Sequence, residues 1–430
     1  MSLLSFKKSE QYLQRSLKTI PLGSQTFSKS KLVYPQKVSP LFLESGQGAI
    51  VTDPDNNQYI DFVNGLLSVM LGYCDTDVDN AVKKQLKNGI TLSLPHRLEF
   101  EVSELITELV PCAEMVRFGK NGSDSTSAAI RLARAYTGKE HIIVCGYHGW
   151  QDWYIGSTTR DLGVPLAVKE LTHQFEYNNL SSLEKVFIQY PDQIAAVIME
   201  PMNVDYPKDN FLSKVKALTH QHNAVLIFDE TITGFRFAQG GAQQLFDVIP
   251  DLATFGKGMA NGFPISAITG KKEIMLLMED IFYSSTFGGE TLSLAASKAT
   301  INKIKQQNVL KHIHQMGSLL ITELQALILA SNTADLFSIK GHPAWSFLTI
   351  KSTKKISPQQ LSSFIQQEMH KHGILCNGSH NMSFAHTKEH VDKLLAAYKE
   401  IIPLAKEMNE NGNFDDYFYG IVTEPVFKVR

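Results

Sequence analysis

Two charged residues that come just after apolar runs are the first candidates for chemistry in this sequence. Asp229 follows the run 224–228, and Lys257 comes after the run 253–255 inside a glycine-rich turn. A lysine amine forms a Schiff base with a carbonyl group when its surroundings keep enough of it unprotonated. An acidic residue at a strand end often only binds backbone amides, and a single lysine is usually a solvated charge. Together the two residues indicate Schiff-base chemistry beside a carboxylate.

A small polar turn at residues 120–126 predicts a site for an anion. It follows the apolar run 115–118 and opens a stretch with helical periodicity over 124–137. Exposed amides at a helix N-terminus, together with the hydroxyl of Ser123, suit a phosphate group. Ser123 or Asp124 could also simply cap the helix, and capping would not exclude phosphate binding.

An aromatic turn supplies a third candidate element. Residues 146–150, with the sequence GYHGW, follow the apolar run 141–145. A planar side chain in this turn could stack on an aromatic cofactor. Aromatic residues at such places more often belong to a core, so the turn gains weight only from the company of Asp229 and Lys257.

The secondary-structure elements that position these candidates can be predicted from the sequence between Glu101 and Lys272. Short apolar runs alternate with helix-period stretches, which predicts βαβ units and a mainly parallel sheet. Ligands on such sheets bind beyond the carboxyl ends of the strands. Helices are expected at 124–137, 183–188 and 212–222. Strands are expected at 115–118, 141–145, 194–198, 225–228, 253–255 and 265–269.

The two ends of the chain predict a second, smaller domain. Residues 48–64 read as a hairpin because two alternating stretches flank the turn-rich segment 53–57. After about residue 305, long amphipathic stretches alternate with a few β runs such as 346–350. We expect an N-terminal segment at 1–62 that joins a C-terminal small domain at 309–410, a large domain at 63–308, and an extension at 411–430. The extension is either a structural tail or a cover for the site.

Composition and charge exclude several classes of protein. The 430 residues carry 41 lysines and arginines against 43 aspartates and glutamates, so neither a nucleic acid nor a membrane is the expected partner. The four cysteines lack the spacing of metal ligands or of a disulfide framework, so no metal is expected. No run approaches the roughly 20 apolar residues of a spanning helix. Residues 1–17 lack the apolar core of a signal peptide, and the cytoplasm is the expected compartment.

The motifs around these candidates resemble those of one family across nearly the whole chain. The matching stretches, in the family's order, are DPDNNQYIDFVNG, MVRFGKNGSDSTSAAIRLARAYTGKEHIIVCGYHG, AAVIMEPM, LIFDETITGFRFAQGGAQQLFDVIPDLATFGKGMANGFP, STFGGETLSLAA and FAHTKEHVD. The chain resembles the class III aminotransferases, which use pyridoxal 5′-phosphate (PLP), and is most similar to the glutamate-1-semialdehyde 2,1-aminomutase group. The resemblance implies an α/β protein of PLP-dependent transferase fold type I, aspartate-aminotransferase-like. Such a protein has a mainly parallel seven-stranded sheet in a large domain and a small α+β domain.

The resemblance also implies roles for individual residues. Lys257 would hold PLP as a Schiff base and then move protons, and Asp229 would bind the pyridine nitrogen. Gly122 and Ser123 would bind the phosphate, with serine in place of the more usual threonine. Tyr147 would stack on the ring.

Two further positions match the family. Glu200, in the stretch IAAVIMEP, matches a glutamate near the cofactor. Thr286, in STFGGE, matches a threonine that reaches the phosphate of the neighbouring subunit. The resemblance thus implies a homodimer with its active sites at the interface.

Substrate-contacting positions depart from the pattern of the aminomutase group. The arginine that holds the substrate carboxylate there is missing from residues 23–29, Leu66 replaces a tryptophan, and Trp150 replaces a histidine. A missing cation leaves a buried anion unpaired, which is costly enough to change the choice of substrate. We therefore expect transfer between molecules, from a donor such as L-glutamate to a carbonyl acceptor such as a keto sugar, rather than the intramolecular aminomutase reaction.

Several alternatives stay open. The candidates for the substrate pocket are His96, Arg97, Trp150 and Tyr154. Arg97 could itself replace the missing arginine. The same cofactor residues would also support racemisation or decarboxylation. A protein that has kept the fold and lost catalysis is disfavoured, because the lysine and the carboxylate are both present.

Overall fold

The computed structural model describes residues 4–351 and 353–424. Its strands, in chain order, are β1 (Ser45–Gln47), β2 (Ile50–Thr52), β3 (Gln58–Asp61), β4 (Met115–Gly119), β5 (His141–Cys145), β6 (Thr172–Gln174), β7 (Ile194–Met199), β8 (Val225–Asp229), β9 (Leu252–Phe255), β10 (Ser266–Gly270), β11 (Phe337–His342), β12 (Trp345–Ile350), β13 (Ile374–Leu375) and β14 (Ser379–Asn381). Its helices are α1 (Lys7–Ser16), α2 (Asn64–Leu67), α3 (Thr76–Leu86), α4 (Arg97–Leu109), α5 (Gly122–Thr137), α6 (Asp152–Ile155), α7 (Leu166–Lys169), α8 (Leu180–Gln189), α9 (Phe211–Gln221), α10 (Ala242–Leu245), α11 (Lys272–Met275), α12 (Thr291–Gln306), α13 (Val309–Ala330), α14 (Pro358–Lys371), α15 (Lys388–Asn411) and α16 (Phe414–Tyr417).

The described residues form two compact units. The smaller unit contains the residues up to Leu66, Met70–Asp75 and the residues from Lys311 onward, and the larger contains Leu67–Val69 and Thr76–Leu310. The domain boundaries expected at residues 62, 308 and 410 stay a prediction. Residues 1–3 and 425–430 of the outer segments lie outside the described residues.

The larger unit is built on a seven-stranded sheet with the strand order β4-β10-β9-β8-β7-β5-β6. The strands from β9 to β6 run parallel, and β10 is antiparallel to both β9 and β4. This sheet confirms the predicted α/β class. The six predicted strands agree with the observed ones to within one residue at each end. The sequence pattern does not predict β6, because its three residues, THQ, lack an apolar run.

The core of the larger unit forms on both faces of this sheet. Every residue of β7 is buried, and alternate side chains along a strand face opposite sides. Ala196 and Ile198 pack with residues of α5 on one face, whereas Val197 and Met199 pack with residues of α8 and α9 on the other. Burial on both faces explains the continuous apolar runs in the sequence, and it leaves the strand ends as the places for polar groups.

The smaller unit contains two small sheets. β1, β2, β3 and β13 form one, and β11, β12 and β14 form the other. β2 and β3 pair as the antiparallel hairpin that the sequence predicts. Asp53 fixes the hairpin turn, because its carboxylate accepts hydrogen bonds from the amide and the side chain of Asn57 at 2.8 and 2.7 Å.

The described part of the C-terminal extension packs on the smaller unit. Phe414 and Phe418 are buried, and the amide of Tyr419 donates a hydrogen bond to the side chain of Gln367 at 3.0 Å. These contacts favour a structural tail over a cover for the site. Residues 425–430 of the extension lie outside the described residues.

Among the described residues, α13 is long and apolar enough to cross a membrane by length and composition alone. Its buried positions recur every three or four residues, a spacing typical of a helix that packs one face against a protein core. These positions are Val309, Ile313, Gly317, Leu320, Leu324 and Ile328.

Candidate active site

The carboxyl ends of four neighbouring parallel strands meet at one edge of the seven-stranded sheet. Tyr147 lies just after β5, Glu200 follows β7, Asp229 ends β8, and Lys257 comes after β9. A cavity of about 500 Å³ opens at this edge, a volume typical of small-molecule sites. The residues that line it are Ser68, Lys120, Asn121, Gly122, Ser123, Thr126, Tyr147, His148, Gly149, Trp150, Glu200, Asp229, Thr231, Ile232, Lys257, Gly262, Phe263, Pro264 and Ile265.

Asp229 is buried, and both of its carboxylate oxygens accept hydrogen bonds. Oδ2 accepts one from Nδ1 of His148 at 2.9 Å. Oδ1 accepts from the amide of Thr231 and from the hydroxyl of Thr254, each at 3.1 Å. Burial raises the pKa of Asp229, but the hydrogen bond and charge of His148 and the hydrogen bond from the backbone amide of Thr231 outweigh burial and bring the pKa below its ordinary value. Asp229 is therefore an ionised group that can hold a cation.

Lys257 lies in a strained turn at the cavity. Its φ of 41° falls in the left-handed region, which costs a non-glycine residue about 1 kcal/mol or more. Burial lowers the pKa of its amine, and the carboxylates of Glu200 and Asp229 only partly oppose this effect. A larger share of the amine is thus neutral, which is the form that attacks a carbonyl carbon.

Glu200 is buried as well, but its environment acts in the opposite direction from that of Asp229. Burial and the negative charge of Asp229 raise the pKa of Glu200. Its Oε2 accepts hydrogen bonds from the amide of Tyr147 at 3.0 Å and from the side chain of Asn203 at 2.9 Å, and these bonds only partly oppose the rise. The cavity thus holds two carboxyl groups whose pKa values are moved apart.

Helix α5 begins at Gly122 on the cavity wall, two residues before the predicted start. Its N-cap is Asn121, whose side chain accepts a hydrogen bond from the amide of Asp124, and the side chain of Asp124 accepts one from the amide of Asn121. Ser123 does not cap the helix, since its Oγ accepts a hydrogen bond from the amide of Trp150 at 3.2 Å. A helix N-terminus of this kind suits a phosphate group.

The structure brings most of the predicted site residues together. Six predicted cofactor residues line the cavity: Gly122, Ser123, Tyr147, Glu200, Asp229 and Lys257. Trp150, a substrate-pocket candidate, lines it too. The individual roles of these residues stay predictions.

Two other predicted residues do not line the cavity. Tyr154 is buried behind Tyr147, with the two rings edge to face, and its hydroxyl donates a hydrogen bond to the carbonyl oxygen of Gly146 at 2.8 Å. Thr286 is exposed on the loop before α12. Its expected contact is with a neighbouring subunit and stays a prediction.

His96 and Arg97 lie at the start of α4, away from the cavity lining. His96 is the N-cap of this helix, and its side chain accepts a hydrogen bond from the amide of Leu98 at 3.3 Å. Arg97 is exposed and pairs with Glu101 at 2.9 Å. The idea that Arg97 replaces the missing arginine therefore gains no support from the lining of this chain's cavity.

Three cavity residues carry chemistry that the sequence pattern does not assign. His148 donates to Asp229, and the amide of Thr231 donates to the same carboxylate. Lys120 binds Glu290 at 3.0 Å. The positions of His148 and Lys120 inside the aromatic turn and the polar turn are the signal that could have identified them.

The cavity fits PLP. Thr231 has a buried hydroxyl with no hydrogen-bond partner among the described residues, and it lies beside Gly122 and Gly256. An unpaired buried hydroxyl is costly, so a ligand atom at this position would stabilise the site. When bound, PLP supplies an aldehyde carbon that receives an amine and a protonated ring that takes up electrons. Lys257 has the amine and Asp229 the carboxylate that this cofactor requires.

Comparisons with known proteins agree with this interpretation of the site. A family model described as aminotransferase class-III matches residues 33–402. The chain is 35% identical over 380 residues to the 3-aminobutyryl-CoA aminotransferase of Cloacimonas acidaminovorans, a match that covers 84% of this chain and 91% of that protein. It is 34% identical over 422 residues to the glutamate-1-semialdehyde 2,1-aminomutase of Alkaliphilus oremlandii, covering 92% of this chain and 98% of that protein.

Solved structures share the fold. The FumI protein of Sphingopyxis sp. MTA144, in a PLP-bound form, has a TM-score of 0.86 at 25% identity, over 94% of this chain and 98% of that chain. An omega-transaminase from Sphaerobacter thermophilus has a TM-score of 0.84 at 24% identity, over 93% and 98%. These matches confirm fold type I. The chain belongs to the class III aminotransferases and is a PLP-dependent enzyme.

Proposed function

We propose that this enzyme transfers an amino group between two molecules, from an amino acid donor such as L-glutamate to a carbonyl acceptor. The observation that carries the proposal is that no arginine lines the cavity within the described chain. Among the described residues, two lysines line the cavity, Lys257 and Lys120. Lys120 already pairs with Glu290. A single engaged ammonium group is a weaker carboxylate clamp than a bidentate guanidinium. The cavity therefore does not require a charged group next to the carbonyl carbon of the acceptor.

Lys257 has two tasks in this proposal. Its amine would hold PLP at the aldehyde carbon, and the cofactor would supply that carbon to an incoming amine. The free lysine amine would then take up and return a proton at the reacting carbon of the substrate, as general base and general acid. The lowered pKa of Lys257 serves both tasks, because the neutral amine is the attacking group and the proton acceptor.

Asp229 would hold the cofactor's pyridine nitrogen in its protonated form. A carboxylate beside a cation stabilises the charged form of that cation. His148 and Thr254 orient the carboxylate through hydrogen bonds at 2.9 and 3.1 Å, and the lowered pKa keeps it ionised. Asp229 thus supplies a fixed negative charge near neutral pH.

The remaining cofactor contacts follow from the cavity wall. Gly122 and Ser123 would bind the phosphate at the N-terminus of α5. Tyr147 would contact the ring from the aromatic turn. Glu200, with its raised pKa, shares hydrogen bonds near the cofactor.

The proposal includes a homodimer in the cytoplasm. Thr286 reaches the phosphate of the partner, and its exposed position on the loop before α12 supports this contact. The active sites then lie at the subunit interface, so that dilution to monomers would reduce cofactor affinity.

The acceptor belongs to the carbonyl compounds without a charge next to the reacting carbon. A keto sugar is one such class. The name of the Cloacimonas relative, 3-aminobutyryl-CoA aminotransferase, adds a second class, the 3-oxoacyl thioesters.

A single-turnover experiment tests the proposal. Purified enzyme loaded with PLP is mixed with L-glutamate, glutamate-1-semialdehyde or 4,5-diaminovalerate, and the visible band of the lysine-bound cofactor is followed. We expect glutamate, with no second substrate present, to convert the cofactor to its amino form in stoichiometric amount.

The second candidate function is the aminomutase reaction, which the Alkaliphilus relative's name favours. It would be supported if only the semialdehyde or the diaminovalerate converted the cofactor. A protein in which no amine changes the band would instead be a binding protein with this fold.

A further inference from the structure

Hydrogen bonds fix the backbone of the aromatic turn, residues 146–150, and Tyr147, His148 and Trp150 of this turn line the cavity. The amide of Tyr147 donates a hydrogen bond to Oε2 of Glu200 at 3.0 Å. His148 is buried, and its Nδ1 donates to Oδ2 of Asp229 at 2.9 Å. The first half of the turn is thus fixed to two strand ends.

The second half of the turn is fixed to helix α5. The carbonyl oxygen of His148 accepts a hydrogen bond from the hydroxyl of Thr126 at 2.8 Å, and the amide of Trp150 donates to Oγ of Ser123 at 3.2 Å. Gly149 has a φ of 111°, and an added Cβ would lie 2.3 Å from Oγ of Ser123. The turn therefore has no room to move toward the helix.

Trp150 is the exposed side chain on this rigid turn. It lines the cavity with 63% of its surface exposed, whereas the other two tryptophans, Trp153 and Trp345, are buried. An exposed indole contributes little to folding, since it buries little apolar surface. It offers a large, flat contact surface with little conformational entropy to lose.

We propose that Trp150 determines acceptor specificity by packing its indole against the uncharged, C–H-rich face next to the acceptor's carbonyl group. A pyranose ring and a thioester chain both present such a face, and neither needs the arginine that the cavity lining lacks. The proposal rests on the proposed function, because it requires a second molecule that receives the amino group.

The test measures the two half-reactions separately in the PLP-loaded dimer. The wild-type enzyme, Trp150→Ala and Trp150→Phe are first aminated with L-glutamate, and then mixed with 3-oxobutyryl-CoA, a nucleoside-diphosphate 4-keto-hexose or 2-oxoglutarate. We expect Trp150→Ala to lower kcat/KM about tenfold more for an acceptor without a charge next to its carbonyl group than for 2-oxoglutarate, and Trp150→Phe to restore most of the loss. Of the thioester and the keto-hexose, the acceptor that shows this loss identifies the substrate class.

Tyr419→Ala is the matched control, because Tyr419 is also 63% exposed but lies in the C-terminal extension. Tyr419→Ala should change kcat/KM by the same factor for all three acceptors. Equal losses for the three acceptors in Trp150→Ala, or a wild-type enzyme that uses only 2-oxoglutarate, would overturn the role of Trp150. Failure of the proposed function would look different, because glutamate would then not convert the cofactor of the wild-type enzyme at all.

Tryptophan fluorescence gives a readout that does not depend on turnover. Acrylamide should quench a fluorescence component of the resting holoenzyme that is absent from Trp150→Phe. Bound 3-oxobutyryl-CoA or keto-hexose, whichever is the acceptor, should protect that component from quenching. A wild-type holoenzyme whose quenching matches that of Trp150→Phe would contradict the proposal. The visible cofactor band of Trp150→Ala should match that of the wild type, because the amide of residue 150 still binds Ser123.

Discussion

An aspartate, a histidine and a lysine meet at each of the two edges of the seven-stranded sheet. At the carboxyl edge, Asp229 binds His148 at 2.9 Å and acts on the charge of Lys257. We call these three residues the carboxyl-edge cluster. Both His148 and Asp229 are buried there, and all three residues line the cavity.

At the amino edge, Asp251 precedes β9 and binds His220 at 2.8 Å and Lys271 at 2.7 Å. We call these residues the amino-edge cluster. Its carboxylate also accepts a hydrogen bond from the amide of Leu226 at 2.8 Å. The side chains of His220 and Lys271 are 39% and 46% exposed, so water reaches both partners.

The two lysines show what this difference does. The hydrogen bond to Asp251 raises the pKa of Lys271, which stays a cation. Burial lowers the pKa of Lys257, which gains nucleophilic character. The same three residue types thus form partly exposed ion pairs in the amino-edge cluster and a reactive site in the carboxyl-edge cluster. The difference in burial of the lysine and the histidine explains the difference in chemistry.

The largest expected difference is in the turnover of variants at the two lysines, Lys257 and Lys271. Lys257→Ala should reduce turnover by about four orders of magnitude or more, because it removes both the attachment of the cofactor and the proton carrier. Lys271→Ala is the matched control and should stay within about threefold of the wild type. Steady-state rates with glutamate and an acceptor measure both, and a Lys257→Ala enzyme near the wild-type rate would exclude the assigned role.

Substitutions of the two aspartates, Asp229 and Asp251, should differ almost as much in their effect on the reaction rate. Asp229→Asn should lower the rate of the glutamate half-reaction by about 10³-fold with the fold intact, because the amide no longer favours a protonated ring nitrogen. Asp251→Asn should leave that rate within about threefold. Stopped-flow decay of the visible band gives the rates, and circular dichroism checks the fold. Equal rates in the two variants would remove the distinction between the clusters.

Substitutions of the two histidines, His148 and His220, should differ less in their effect on kcat/KM, and this difference should depend on pH. His148 helps to bring the pKa of Asp229 below its ordinary value, so the wild-type carboxylate stays ionised as the pH falls. In His148→Gln that pKa rises, and the acid limb of kcat/KM should move to higher pH. The loss of the hydrogen bond that orients the carboxylate should separately lower kcat/KM about tenfold at pH 7. His220→Gln should keep the wild-type pH profile. An unshifted acid limb in His148→Gln would show that other donors suffice to ionise Asp229.

Much of this contrast could be predicted from the sequence. Asp229 and Lys257 follow apolar runs that become fully buried strands, and such runs are the strongest signal that a single sequence offers. The start of α5 was predicted two residues late, because the capping by Asn121 depends on local geometry. Tyr154 and His96 were expected in the substrate pocket, but the structure buries Tyr154 and uses His96 as a helix cap.

The pairing of His148 with Asp229 could not be predicted from the sequence. His148 lies 81 positions before Asp229, and only the parallel order of β5, β7 and β8 brings the two together. The same holds for His220 and Asp251, which are 31 positions apart. Contacts of this kind depend on strand order, which periodicity does not encode.

The smallest expected effect is on stability, and it belongs to the amino-edge cluster. Burial raises the pKa of Asp251, but the hydrogen bonds from Lys271, from the amide of Leu226 and from His220 outweigh it, so the pKa in the folded protein lies below the ordinary value. A carboxylate of this kind stabilises the fold above its unfolded pKa of about 4, and the contribution is lost as the pH falls through the folded pKa.

Asp251→Asn should therefore lower the free energy of unfolding by about 1 kcal/mol at pH 7, a small value because His220 and Lys271 are partly solvated. The melting temperature should fall by about 2 °C, and the difference from the wild type should shrink below pH 4. Thermal unfolding of both proteins with PLP bound, from pH 3 to pH 7, measures this. A difference that stayed constant across that range would mean that the ionised carboxylate is not the source of the stability, and the amino-edge cluster would then differ from the carboxyl-edge cluster in packing rather than in charge.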